Sequence, residues 1–159
     1  MISNTLQDTI NDQIKHELNS AYLYLSMSAY CQAVSLPGFA HWMRLQYGEE
    51  VEHAMKLFDY LADREGRVTL QALEQPLADF KSALEMMQYT LGHERKVTGL
   101  INQLVKESDT AAQVFLHWFI EEQVEEEKNA SQIVEKLRMA GGEGAALLLM
   151  DRELGARAK

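Results

Sequence analysis

Proline is scarce: only Pro37 and Pro76 occur in 159 residues. So few breakers exclude the many short strands and turns of a sandwich or barrel, and with 47% apolar residues they predict an all-α chain of long helices. Cysteine is scarcer still. Cys31 has no partner for an internal disulfide, which fits a reducing cytoplasm, the expected location. Apolar residues never run for the roughly 18 positions that a membrane span demands, and Met1 to Leu25 lacks the basic start and apolar block of an export signal. An unexported chain with no membrane partner is therefore expected. Basic residues are outnumbered, 15 Lys and Arg against 24 Asp and Glu, for a net charge of −9. That balance excludes nucleic acid as a partner, since phosphate backbones are bound by basic surfaces, and it favours cations. The length fits one domain over residues 1–159, because a chain of this size buries roughly two-thirds of its unfolded surface.

What is present is a three-to-four spacing of inward positions. A first helix, about residues 5 to 34, carries Ile10, Ile14, Glu17, Ala21, Tyr24 and Ser28, with Asn4 and Gln7 as its capping box. The second, about 37 to 65, follows Pro37 and carries Phe39, Met43, Gln46, Glu50, His53, Ala54, Leu57 and Leu61, with Gly66 as its stop. A third starts at the box Ser82 to Glu85, ends near Glu107, and presents Leu84, Met87, Leu91, Glu94, Thr98, Ile101 and Val105. Ser108 and Asp109 cap a fourth with Ala112, Leu116, Phe119, Gln123, Glu126, Ala130, Ile133 and Leu137 inward; Gly141, Gly142 and Gly144 break it. The connection from 67 to 81 can reach roughly 50 Å when extended, longer than a helix of that size, so it can cross the whole bundle. A four-helix bundle over about 5–139 with one long crossover follows. A short fifth helix, about 145–154, has Leu147, Leu148, Leu149 and Met150 on consecutive positions and so is apolar all round. Burial between subunits is expected for it.

The stripes fail at mid-length. Glu17, Glu50 with His53, Glu94, and Gln123 with Glu126 are polar residues at inward positions, and Tyr24 lies two turns beyond Glu17. One unpaired buried carboxylate costs several kcal/mol, and four together require cations. Two divalent ions balance four carboxylates, and carboxylate oxygens with one imidazole suit Fe(II), Mn(II) or Zn(II). Glu50 and His53 form a Glu-x-x-His pair, which aims two ligands the same way from one helix. A single such pair is common by chance. Agreement among four helices carries the argument. The run Glu121 to Glu127 also reads as a solvated acidic face, and Tyr24 reads equally as a core tyrosine bonded to a carboxylate or as a redox participant. His16, His41, His93 and His117 fall off the stripes and are expected at the surface or an interface.

Four stretches, Glu17 to Tyr24, Glu49 to His53, His93-Glu94 and Trp118 to Glu127, resemble those of the non-haem ferritins, and the likeness spans the whole chain. The resemblance implies a ferroxidase with an iron (Fe2+/Fe3+) centre. Glu17, Glu50 and His53 match one iron position, Glu50, Glu94 and Gln123 the second, and Tyr24 lies close to both. It further implies a third, transit iron site on Glu49, Glu122, Glu125 and Glu126, dioxygen or hydrogen peroxide as oxidant, and a homo-oligomeric cage of 24 subunits storing ferric mineral. Haem is not expected: Val51 stands where haem-containing relatives have Met, and Gln123 to Glu126 replaces their second Glu-x-x-His. The Asp and Glu with which animal ferritins line a three-fold channel are replaced by Gln113 and Leu116, so the route by which iron enters is left open. The competing readings are a di-iron oxygenase or peroxidase, marked by product turnover without iron accumulation, and a silent storage subunit, which would lack the Glu17, Glu50, His53 and Glu94 set.

Overall fold

The computed structural model describes residues 1–159 as five helices: α1 (Asn4–Ala33), α2 (Pro37–Asp63), α3 (Ala83–Glu107), α4 (Thr110–Ala140) and α5 (Gly144–Gly155). Polar side chains set most of the starts. Ser3 caps α1 by accepting the Leu6 N–H at 3.2 Å, one residue ahead of the expected Asn4. Gln7 does not close a box there and instead accepts the Arg67 N–H at 2.8 Å. Ser82 accepts the Glu85 N–H at 3.0 Å, and Glu85 reaches back to the Lys81 N–H at 2.6 Å. Asp109 accepts the Ala112 N–H at 2.9 Å. For α2, Leu36 offers no side-chain cap, and Pro37 fills a first-turn position that needs no donor. The missing acceptor comes from elsewhere: Asp151 of α5 takes the Phe39 N–H at 2.9 Å.

Two helices end in the same way. Leu36 N–H reaches Cys31 O at 2.9 Å after α1, and Gly66 N–H reaches Leu61 O at 2.9 Å after α2, each across a left-handed residue. Those residues are Ser35 (φ 61°) and Glu65 (φ 60°), so Gly66 stands one position past the turn that it was expected to make. Its bare Cα is needed for a different reason, since a Cβ there would lie 2.4 Å from Leu61 Cδ1.

Helices α1 and α2 form one packed pair and α3 and α4 another. The crossover between them is laid along α1. Asn11 Nδ2 donates to Arg67 O at 3.0 Å while its Oδ1 accepts the Thr69 N–H at 2.8 Å. Further along, Asn19 accepts the Glu74 N–H at 3.0 Å and Ser26 Oγ donates to Leu77 O at 2.7 Å. The inward positions expected for α1, α2 and α4 are all buried. On α3 the face is turned: Leu84, Leu91, Thr98 and Val105 are half-buried, while Met86, Thr90, Val97 and Leu104 join Met87, Glu94 and Ile101 in full burial. The apolar core is split in two. One part gathers Tyr24, Met27, Phe39, Met43, Met86 and Leu137; the other gathers Ile10, Ile14, Leu57, Ile101, Leu116 and Phe119. Helix α5 packs on α2 and touches α4, burying Met150 and Leu154 and leaving Leu148 and Leu149 63% and 68% exposed.

Candidate metal centre

Between the two apolar clusters lies a polar layer to which all four long helices contribute: Glu17 from α1, Gln46, Glu50 and His53 from α2, Glu94 from α3, and Gln123 and Glu126 from α4. Each is buried. In Glu17, Glu50 and His53, one ligand atom from each residue lies within 4.8 Å of the others. The i, i+3 spacing on α2 sets His53 Nδ1 3.4 Å from Glu50 Oε2, and α1 brings Glu17 Oε2 to 3.9 Å from the same nitrogen. Glu17 Oε1 accepts from Gln13 Nε2 at 2.8 Å, one turn earlier on its own helix. Glu17 Oε2 and Glu50 Oε2 are buried and have no hydrogen-bond donor. Orphaned carboxylate oxygens aimed at a shared point are costly unless a cation occupies it, so the donor set fits a divalent ion. Edge-on packing of Trp118 and Phe119 on the His53 ring, with centroids at 5.3 and 5.9 Å, holds the imidazole in place.

The second half of the layer is bonded internally. Gln123 Nε2 lies 3.2 Å from Glu94 Oε2, from the Glu94 carbonyl and from Thr98 Oγ1. Tyr24 donates its hydroxyl to Glu94 Oε1. Glu126 Oε2 accepts from Gln46 Nε2 at 2.8 Å. Glu122 is half-buried, with Oε2 4.0 Å from His53 Nε2, whereas Glu125 is exposed. Glu49 Oε1 pairs with Arg157 Nη2 at 2.7 Å, and its Oε2 is a third buried oxygen without a donor.

Electrostatics follow from this crowding. Burial, reinforced by Glu17 and Glu94, pushes Glu50 far above the usual carboxylate range. Burial raises Glu94, and it raises Glu126 to about 7 with help from the Glu94 carboxylate. For Glu17 burial acts upward too, but the neighbouring His53 imidazole, helped by Gln13, prevails and the value is lowered. His53 is opposed by burial and yet rises to about 11 because Glu17 and Glu50 flank it, so the metal-free layer keeps a proton on the ring. Tyr24 rises well above 10, by burial first and then by Glu94, Glu50 and Glu126, and stays a phenol.

Sequence reasoning missed two residues here. His93, expected at the surface or an interface, is half-buried within the subunit, 2.8 Å from Ser20 Oγ and edge-on to Tyr24, and burial lowers it to about 4. It borders a cavity of about 290 Å³ shared with Lys15, His16 and Lys96, between α1, α3 and the crossover. Its place beside Glu94 was legible, but the close approach of Ser20 was not. The other is Arg157, for which the sequence held no signal, because Glu49 precedes it by 108 residues.

Comparison with known proteins covers the full chain. The family model for the ferritin-like domain matches residues 7–140. A bacterial non-heme ferritin of Bacteroides fragilis is 41% identical, with 99% of this chain and 100% of that one aligned. Among solved structures, an engineered closed form of the Archaeoglobus fulgidus ferritin superposes with a TM-score of 0.97 at 46% identity, covering 99% of each chain. An open-pore ferritin from the same archaeon gives a TM-score of 0.97 at 45% identity, over 99% of this chain and 98% of the other.

Proposed function

The chain belongs to the ferritin family, in its non-haem bacterial and archaeal branch, and from that premise we propose that it is an iron-storage ferroxidase. Fe(II) is its substrate and the stored ferric oxyhydroxide its product. The observation that carries the reading is the pair of buried, donor-free oxygens of Glu17 and Glu50 converging with His53. In this reading Glu17 and His53 hold one Fe(II), Glu94 and Gln123 hold a second, and Glu50 bridges the two. Each ion gives up one electron. Dioxygen accepts both electrons with two protons and becomes hydrogen peroxide, which can itself take two electrons and two protons to give two waters.

The protein supplies position and charge. Four helices fix the ligands before iron arrives, so little rearrangement is needed to bring the two ions together. Three positive charges on each oxidised ion bind the carboxylates more strongly than two, and the neutral Gln123 amide limits that gain on its side. Tyr24 holds Glu94 in place by its hydroxyl and stays protonated in the metal-free layer. Glu49, Glu122, Glu125 and Glu126 form a third, transit position on the way to the store, and Glu126 is shared between layer and transit site. The exposed Leu148 and Leu149 of α5 are covered by neighbouring subunits in a 24-subunit cage in the cytoplasm.

Aerobic addition of Fe(II) to the metal-free assembly tests this, followed through ferric absorbance, particle mass and iron per subunit. We expect Glu50→Ala and His53→Ala to slow the fast phase by about 100-fold, in line with losing a group that places the reacting ions. Oxidation at the parent rate in both variants sinks the assignment.

A further inference from the structure

The tail leaving α5 doubles back along α2. His41 donates its ring N–H to the Arg157 carbonyl at 2.8 Å, and the Arg157 guanidinium lies over the Trp42 ring, 5.3 Å from its centroid. Fixed at both ends, the side chain donates from Nη2 to Glu49 Oε1 at 2.7 Å and from Nη1 to Gln46 Oε1. Gln46 passes the constraint on, since its amide donates to Glu126 Oε2 at 2.8 Å. One guanidinium thus orients two glutamates on two different helices, α2 and α4. No other lysine or arginine is paired with Glu49, Glu122, Glu125 or Glu126. Glu49 is also divided: one oxygen serves the arginine, and the other is buried with no donor.

We propose that Arg157 is a positioning residue for the third metal position, aiming Glu49 and Glu126 at one cation while its own charge keeps that cation loosely held. The inference rests on the transit-site reading above and adds a reason why iron there would move on. Guanidinium carries its charge at every accessible pH, and a half-buried one is screened less than a surface lysine. A cation bound to the free oxygen of Glu49 therefore meets a fixed positive neighbour. By Coulomb's law in a water-rich boundary, such a neighbour weakens a divalent ion about tenfold.

The test is anaerobic calorimetry on the assembled, metal-free protein with Zn(II), a redox-silent probe, comparing parent, Arg157→Gln and Arg157→Lys. The parent is expected to take three ions per subunit, the third most weakly. Arg157→Gln should tighten that third ion about tenfold and leave the first two unchanged, whereas Arg157→Lys, which keeps the charge but loses the fork that holds Glu49 and Gln46, should weaken it. A parent that takes only two ions overturns the transit-site reading and this inference with it. A parent that takes three, with the third unchanged or weakened in Arg157→Gln, overturns the inference alone.

Discussion

At the scale of single residues, the ligand set proposed here starts with a proton on its one histidine. A metal needs the neutral ring of His53, yet Glu17 and Glu50 hold its proton up to about 11. Each ion bound there must expel a proton. Affinity for the first ion should therefore climb as pH rises from about 6 to about 8, approaching tenfold per unit for each proton displaced. Anaerobic Zn(II) titrations in buffers of different ionisation heat measure both the slope and the proton count, and a flat profile contradicts the arrangement. Without metal the sign is reversed. A raised histidine value stabilises the fold fully below the ordinary 6.5, and that contribution is lost as pH rises toward about 11. The members of this layer were legible because each interrupts an apolar stripe at the same depth. Their partners were less so: Gln13 sits one turn before Glu17 on the same face, but Thr98 reaches Gln123 only through the way α3 meets α4.

At the scale of elements, the helix ends invite a paired experiment. Glu65 occupies a left-handed conformation that favours glycine, so Glu65→Gly should raise the unfolding free energy by about 0.5–1 kcal/mol. Gly66→Ala should do the opposite by about 1–3 kcal/mol, because its methyl group meets the fully buried Leu61. Chemical denaturation of the two variants measures both, and equal effects would contradict the assignment of the turn. Sequence alone put the stop at the glycine, since the residue type with the greatest freedom is the natural choice, whereas the chain spends that freedom on packing. The rotation of α3 has a similar origin. Leu84, Leu91, Thr98 and Val105 each stand one residue, about 100° of helical turn, past the buried Ala83, Thr90, Val97 and Leu104, so a stripe read one position late runs along the edge of the buried face. Its true centre runs through Thr90 and Val97. Ser3 and Asn4 are both good caps, and a choice between neighbours one residue apart depends on the backbone rather than on propensity.

At the scale of the whole molecule, the crossing of α2 and α5 decides what the surface presents. A Cβ on Gly38 would lie 1.6 Å from the Asp151 carbonyl oxygen, and one on Gly155 would lie 3.1 Å from the Gly38 Cα. Gly38→Ala should therefore push α5 off α2, leaving the four-helix layer intact and the assembly smaller. Size-exclusion chromatography with particle mass checks the first effect, and Zn(II) binding by the dissociated subunit checks the second. Full-size particles from this variant would show that the crossing tolerates a methyl group. Asp151 gives this contact a wider meaning, because the carboxylate that completes the start of α2 comes from the helix that bears Leu148 and Leu149. The start of α2 and the placement of the two exposed leucines therefore stand or fall together.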